Sequence, residues 1–484
     1  MNRRRFLQVA GASAPLFGAA MANAAGPSAV QRSAIAPALK ATLDEQIARY
    51  MQQNNAPGMQ FALVDLRGTE YLASYGFEDL RTRKPLTPDR LFQIGSISKS
   101  MAAIAVLQLV EEGKLDLQRP VLDTLPFLPW STPLGSVTLQ HVLTHTTGLP
   151  GDGSLYFPGN FWTHRQRYAP GERYFYSNMA FNTLGLLVST VDGRSYQESL
   201  TSRVLHPAGM NGTVPSLGGA EWARQATSYV PASVDVPFHR FDALREAPPF
   251  HEDTSAGCVA STPLDMACYL RCLLRGGVAD SGARILSPAS FKSMTTSHVK
   301  ANEWGPHAGY GFGIGVDHQS EDTILMHTGG MVSFMSAIYL NLTRGIAAFA
   351  SINAQQGYRP MPVVRYAVEA LAAEGTSSPP ASIAAPAPET SPKANDAGPV
   401  TRPDLVGTFV NDDPWQGTCR VEERAGKLTL NGTPLQSTGD GSYWVESEPG
   451  APDRAAFVCV AGGQAQILLV NGTPFRRWHA PPIS

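Results

Sequence analysis

Apolar and polar positions divide the chain into stretches of different rhythm. From Pro37 to Gln53 the apolar residues follow helical spacing, and Gln60 to Asp65 and Tyr71 to Gly76 then form strand-like runs around Arg67-Gly68, which predicts a hairpin. Past Phe92-Gln93-Ile94-Gly95, the residues Met101 to Leu107 and Leu109 are apolar almost all round, and the run stops at Glu112-Gly113. This predicts a buried helix whose first turn carries Ser96.

Between about Leu115 and Gly257 the pattern is one of Pro-rich loops with helical patches such as Asn182 to Thr190, a mostly helical subdomain with long loops. Helices are then expected at Leu264 to Leu274 and Ser287 to Thr295, strands at Tyr310 to Val316, Thr323 to His327, Phe334 to Asn341 and Ile346 to Ile352, and a closing helix from about Arg359 to Ala373. An early hairpin and consecutive late strands, framed by terminal helices, imply one antiparallel sheet assembled from both ends of this region. The fold class expected is α/β (α+β), a sheet flanked by helices plus the helical subdomain.

Residues 375–402 are dominated by Ser, Pro, Ala, Thr and Gly and read as a linker. Beyond it, in 403–484, short strands at Leu405 to Val410, Thr418 to Val421, Lys427 to Leu430, Tyr443 to Glu446, Ala455 to Val460, Gln466 to Val470 and Pro474 to Trp478 alternate with turns. They predict a small all-β barrel or sandwich.

Residues 1–24 stand apart. Arg3-Arg4-Arg5-Phe6-Leu7-Gln8 precedes an Ala-rich apolar run that ends at Ala22-Asn23-Ala24, the pattern of a twin-arginine export signal, so a periplasmic location is expected. The run is short and broken by Pro15 and glycines, and no cysteine lies near the cleavage site; no membrane anchor is expected in the mature protein. Its removal takes away three arginines and no acid, leaving 35 basic against 40 acidic side chains, and no basic patch calls for nucleic acid. With 43% apolar and 16% charged residues, the chain can fill more than one domain's core. Five cysteines do not make a disulfide framework at this length, although Cys419 and Cys459 could pair after export.

Chemistry concentrates in three places. Ser96 and Lys99 lie three residues apart on one helix face, so an amine whose pKa is lowered by desolvation can take the serine proton, and the helix N-terminus favours an oxyanion. Ser297-His298-Val299-Lys300 repeats the spacing but has no apolar helix to bury its lysine. Tyr176-Ser177-Asn178 follows Pro170-Gly171 and opens an apolar helical run; Tyr176 can shuttle a proton, and Asn178 can hold a substrate carbonyl and the Lys99 amine. Tyr339-Leu340-Asn341 repeats that triplet inside a strand. His327-Thr328-Gly329-Gly330 ends a strand signal: His327 and Thr328 can position substrate, Gly329 lets it lie close to the backbone, and the Gly330 N–H can join that of Ser96 as an oxyanion donor. His141 and His145 sit one helical turn apart but lack the glutamate of a zinc-peptidase motif, so both are read as structural.

In the order S-x-x-K, Y-x-N, H-T-G, the chain resembles the class C β-lactamase and D-alanyl-D-alanine peptidase family of penicillin-binding-protein-like serine hydrolases. The resemblance extends through Val137 to Pro150, His206 to Met210 and Ser255-Ala256-Gly257 leading to Asp265, and covers about residues 40–374 of an expected hydrolase domain at 35–374. The tail looks like the lipocalin-like barrels appended to such hydrolases. The resemblance implies an acyl-enzyme on Ser96 with Lys99 and Tyr176 moving the proton, no metal or organic cofactor, and small ester, amide or peptide substrates, peptidoglycan fragments included.

One departure matters: β-lactamases and transpeptidases begin the third motif with lysine, where this chain has His327, mostly neutral at pH 7 if its pKa is ordinary. That favours esters or amides, including D-amino acid derivatives, over β-lactam or D-Ala-D-Ala carboxypeptidase turnover. A non-catalytic peptidoglycan-binding protein of the same fold is the alternative from another class.

Overall fold

The computed structural model describes residues 33–153, 164–232, 243–319, 321–355, 360–374, 380–383, 402–411 and 416–479. The export signal lies outside the described residues, as does most of the segment read as a linker.

The expected α/β fold is present. Among the described residues, nine antiparallel strands form one sheet: β1 (Gly58–Asp65), β2 (Glu70–Asp79), β3 (Lys84–Pro85), β4 (Val299–Lys300), β5 (Gly309–Tyr310), β6 (Gly315–Gln319), β7 (Asp322–Met331), β8 (Phe334–Asn341) and β9 (Ile346–Ile352). Their spatial order is β4-β5-β6-β7-β8-β9-β1-β2-β3, so the early hairpin joins the late strands where β1 pairs with β9. Both faces of that centre are covered, which is why β1, β8 and β9 read as continuous apolar runs without alternation.

Alternation survives in where the side chains go. Phe61 and Leu63 of β1 pack under α1 (Pro37–Gln53), and Ala62 and Val64 face the opposite core. That core is built on α2 (Ser98–Glu111), on which every residue from Ser98 to Leu107 is buried. Around it lie α3 (Leu139–Leu143), α4 (Asn178–Asp192) and α5 (Pro263–Leu274), while α6 (Met361–Ala372) closes the α1 face.

Two expectations need correction. The run from Tyr310 to Val316 is not one strand: Gly311-Phe312-Gly313 turns the chain, and Tyr310 pairs back onto Gly315. In the tail an eighth strand, Thr433–Ser437, joins the seven expected, because only its Leu435 points inward and Pro434, Gln436 and Ser437 hide the alternation. The eight strands close into a barrel around Phe409, Leu468 and Phe475. Cys419 and Cys459 are both free thiols, standing four strands apart on the closed ring.

Candidate active site

Ser96 sits in a tight 3-10 turn, Gly95–Ile97, that runs directly into α2, and no side chain caps the start of either segment. The uncapped first turn leaves backbone N–H groups for other partners. Gly95 reaches this turn at φ +56°, in the left-handed region that glycine tolerates. Its neighbour across the cleft is β7: a Cβ on Gly95 would stand 2.5 Å from the Gly330 nitrogen. The strand end and the nucleophile turn thus meet backbone to backbone, with glycine on both sides.

One helical turn on, Lys99 is fully buried. Its Nζ lies 3.0 Å from Ser96 Oγ, 2.6 Å from Asn178 Oδ1 and 2.8 Å from the Ala256 carbonyl oxygen. A neutral amine satisfies this set by donating to the two carbonyl oxygens and accepting the serine proton; an ammonium satisfies it by donating three times. The amine also stands 4.8 Å from the centre of the Tyr176 ring and 5.5 Å from that of Phe181, among aromatic faces and away from bulk water.

The Tyr176-Ser177-Asn178 triplet owes its geometry to a helix cap. Ser177 has extended backbone and its Oγ accepts the Ala180 N–H, so α4 begins at Asn178 and Tyr176 is left outside the helix, on the cleft. Asn178 turns its carbonyl to Lys99 and its amide nitrogen to Asp152 Oδ1, at 2.9 Å. Its first-turn position, like the serine-lysine spacing, follows from the local sequence.

Ser96, Tyr176, Asn178, His327, Thr328 and Gly330 all line one cavity of about 600 Å³, joined by Asp152, Glu303 and Trp304. Gly329 lies beneath, against Ile94 and Ser96. His327 is fully buried and both ring nitrogens have partners: Nδ1 with the Thr328 carbonyl at 2.6 Å and Nε2 with Tyr310 Oη at 2.8 Å. A carbonyl can only accept, so Nδ1 carries the proton and Nε2 accepts from the tyrosine. The second S-x-x-K ends in the short strand β4, and the second Y-x-N lies in β8.

His145 is structural, as its lack of a zinc-peptidase glutamate implies, and it has a specific place behind Tyr176. Its Nδ1 accepts the Ser177 N–H at 3.1 Å, and its ring lies 4.2 Å from that of Tyr176, with Phe181, Tyr310 and Tyr174 around it. Burial first, and then the positive charge that Lys99 and His327 carry when protonated, hold its pKa well below the ordinary value, so it is a neutral prop behind the tyrosine. His141 instead closes a capping box with Thr138 on α3. Asp152, Glu303 and Trp304 were missed because no local pattern marks them; only the fold brings these distant segments to one cavity.

A serine and a buried lysine one turn apart, facing a tyrosine-asparagine helix start and a glycine-rich strand end on an antiparallel sheet, define a β-lactamase-type serine hydrolase fold. The comparisons agree. The family model described as Beta-lactamase matches residues 43–373, and the chain belongs to the beta-lactamase family.

Among curated sequences it is similar to Protein Rv1367c of Mycobacterium tuberculosis, 28% identical over 302 residues that cover 54% of this chain and 75% of that protein. It is also similar to Penicillin-binding protein 4* of Bacillus subtilis, 29% identical over 30% of this chain and 34% of that one. Among solved structures, the octameric penicillin-binding protein homologue from Pyrococcus abyssi superposes with a TM-score of 0.59 at 22% identity, covering 90% of this chain and 99% of that one. The D-amino acid amidase from Ochrobactrum anthropi SV3 does so with a TM-score of 0.55 at 23% identity, covering 69% and 95%. At these identities the likeness is one of fold.

Proposed function

We propose that the protein is a hydrolase of ester or amide substrates, D-amino acid derivatives among them, working through an acyl-enzyme on Ser96. The observation that carries this is the Lys99 amine 3.0 Å from Ser96 Oγ, fully buried and flanked by aromatic rings. Ser96 Oγ attacks the substrate carbonyl and its proton passes to the Lys99–Tyr176 pair. The N–H groups of Ser96 and Gly330 hold the oxyanion, with Asn178 and Thr328 positioning the substrate. Collapse expels the alcohol or amine, protonated from that pair, and water releases the acid by the reverse path.

Preference for esters and simple amides over β-lactams is supported by charge. His327 supplies no fixed cation, and among the described residues the cavity lining includes Asp152 and Glu303 but no arginine or lysine. A substrate carboxylate there meets carboxyl side chains and, in that lining, no cation to pair with. The D-amino acid amidase that shares the fold was solved with L-phenylalanine amide, in keeping with an amide substrate.

The test is intact-mass analysis after fluorophosphonate treatment: an adduct on wild type that is absent from Ser96→Ala is expected, and an unlabelled wild type favours the non-catalytic binder. Rates on a p-nitrophenyl ester, a D-amino acid amide and a chromogenic cephalosporin then rank the substrates; fastest turnover of the cephalosporin overturns the charge argument. Export to the periplasm through Arg3-Arg4-Arg5 is part of the proposal, and cell fractionation of a lysine-substituted signal checks it.

A further inference from the structure

We propose that the C-terminal barrel is a working wall of the Ser96 cleft, with Asp453 as a positioning residue and Gln416 as a specificity-determining one; this rests on the hydrolase reading above. The first observation is a relay of contacts. Asp453, just before the barrel strand Arg454–Ala461, accepts the backbone N–H of Gly151 at 2.7 Å and the Asn471 amide at 3.0 Å. The Gly151 carbonyl in turn accepts the Met179 N–H at 3.1 Å, tying that turn to the start of α4. The next residue, Asp152, accepts the Asn178 amide, and Asn178 accepts from Lys99.

The consequence lies in the asymmetry of an amide. Asn178 helps Lys99 only with its carbonyl end inward; flipped, it would present a donor to a donor. Asp152 Oδ1, accepting from the Asn178 amide nitrogen, fixes the favourable orientation. Glycines flank it on both sides, Gly151 and Gly153, so the turn has little stiffness of its own. Asp453 holds that turn from outside. Barrel and amine are thereby coupled through the side chains of Asp453, Asp152 and Asn178 and the Gly151 backbone.

The second observation is independent. Gln416, in the turn before the barrel strand Thr418–Arg424, lines a cavity together with Ser96, Asp152, Asn178 and Gly330. A barrel residue therefore lines the same cavity as the nucleophile. The seam that holds it there is well made: Arg167 pairs with Glu446 at 2.6 Å and stacks on Trp444 at 4.3 Å, and Arg173 pairs with Glu448 at 2.9 Å. Substrate groups on that side of the carbonyl meet the barrel before they meet solvent.

The full-length protein is used for the test, with circular dichroism to check folding. Asp453→Ala is expected to slow fluorophosphonate labelling of Ser96 about tenfold, as small misplacements of reacting groups do, and Asp453→Asn, which keeps an acceptor for Gly151, to restore most of the rate. A folded Asp453→Ala that labels at the wild-type rate, or an asparagine variant that loses as much as alanine, overturns the positioning role. Gln416→Ala and Gln416→Trp are measured on p-nitrophenyl esters graded in acyl length and acetate esters graded in alcohol size. Opposite shifts of about fivefold or more in the kcat/KM ratio of large to small substrates are expected, on the scale of a few methylenes gained or lost from a pocket wall, and unchanged profiles in both series overturn the wall. These glutamine variants stand if Asp453→Ala does not fold. A wild type that fluorophosphonate does not label overturns the hydrolase reading and this inference with it; a labelled wild type with unaffected variants overturns this inference alone.

Discussion

Gly329 lies so close to Ile94 that a Cβ on the glycine would fall 1.9 Å from the Ile94 carbonyl oxygen and 3.2 Å from the Ser96 nitrogen. No side chain is accommodated there without moving backbone, because the obstructing atoms belong to the nucleophile turn itself. Gly329→Ala is therefore expected to push β7 away from Ser96 and to lower the fluorophosphonate labelling rate by about two orders of magnitude, the cost of misplacing reacting groups by about 1 Å. Labelling at the wild-type rate would show that the strand end does not form the cleft wall.

Lys99 contacts both Ser96 Oγ and Asn178 Oδ1. Lys99→Met keeps the volume of the stem and removes the amine. Loss of about 10³ in labelling rate is expected, within the range for a positioned proton acceptor. A loss under about tenfold would assign the proton to Tyr176 alone.

His145→Leu tests the prop behind Tyr176. The Ser177 N–H loses its acceptor, a buried donor left unmade costs about 1–3 kcal/mol, and the Tyr176 ring loses its neighbour at 4.2 Å. Both a lower melting temperature and a lower kcat are expected. Because burial keeps His145 neutral, the pH profile of activity should keep its shape in the variant; a vanished ionisation would mean that His145 titrates in the working range.

The Asp453 carboxyl is pushed up to about 6 by burial, with the nearby Asp152 charge adding to the rise and the Gly151 N–H and Asn471 amide opposing it. Burial chiefly raises the pKa of the Tyr168 phenol, which is near enough for the Asp453 charge to add slightly to that rise. A carboxyl that binds its proton more tightly when folded favours folding at low pH and works against it as pH climbs from the unfolded value near 4 through about 6. Asp453→Asn removes that penalty. The melting temperature of the variant minus that of wild type should rise between about pH 4 and about pH 6 and level off above; a difference independent of pH would contradict the assignment.

Thiol reactivity follows burial. Cys258, Cys272 and Cys419 are buried, with thiols pushed up to about 12 by desolvation, and Cys459 is exposed. Iodoacetamide should modify Cys459 first, and the unreduced protein should have the mass of five free thiols. A Cys419–Cys459 crosslink would require two well-separated strands of the barrel to meet.

What the sequence determined by itself was everything set by near neighbours along the chain. The all-apolar helix after Gly95 had to be buried, so Lys99 was buried with it and one turn from Ser96. The cap at Ser177 placed Asn178 on the first turn of α4. The strands of the sheet's centre showed as apolar runs because both of their faces are covered, and the barrel showed as short strands punctuated by turns. The same locality explains the errors: a short turn through Gly311-Phe312-Gly313 and a strand with a single inward residue, Leu435, leave little periodic signal.

Tertiary structure alone decided which distant groups share a cavity. That Ala256 caps the Lys99 amine, that His145 backs Tyr176, that His327 spends both nitrogens inside the protein, and that Asp453 of the barrel reaches Gly151 are contacts between segments separated by up to 302 residues. Spacing encodes neighbours on one helix or strand because their geometry repeats. A meeting across elements depends on how whole surfaces pack, and no single stretch of chain carries that information.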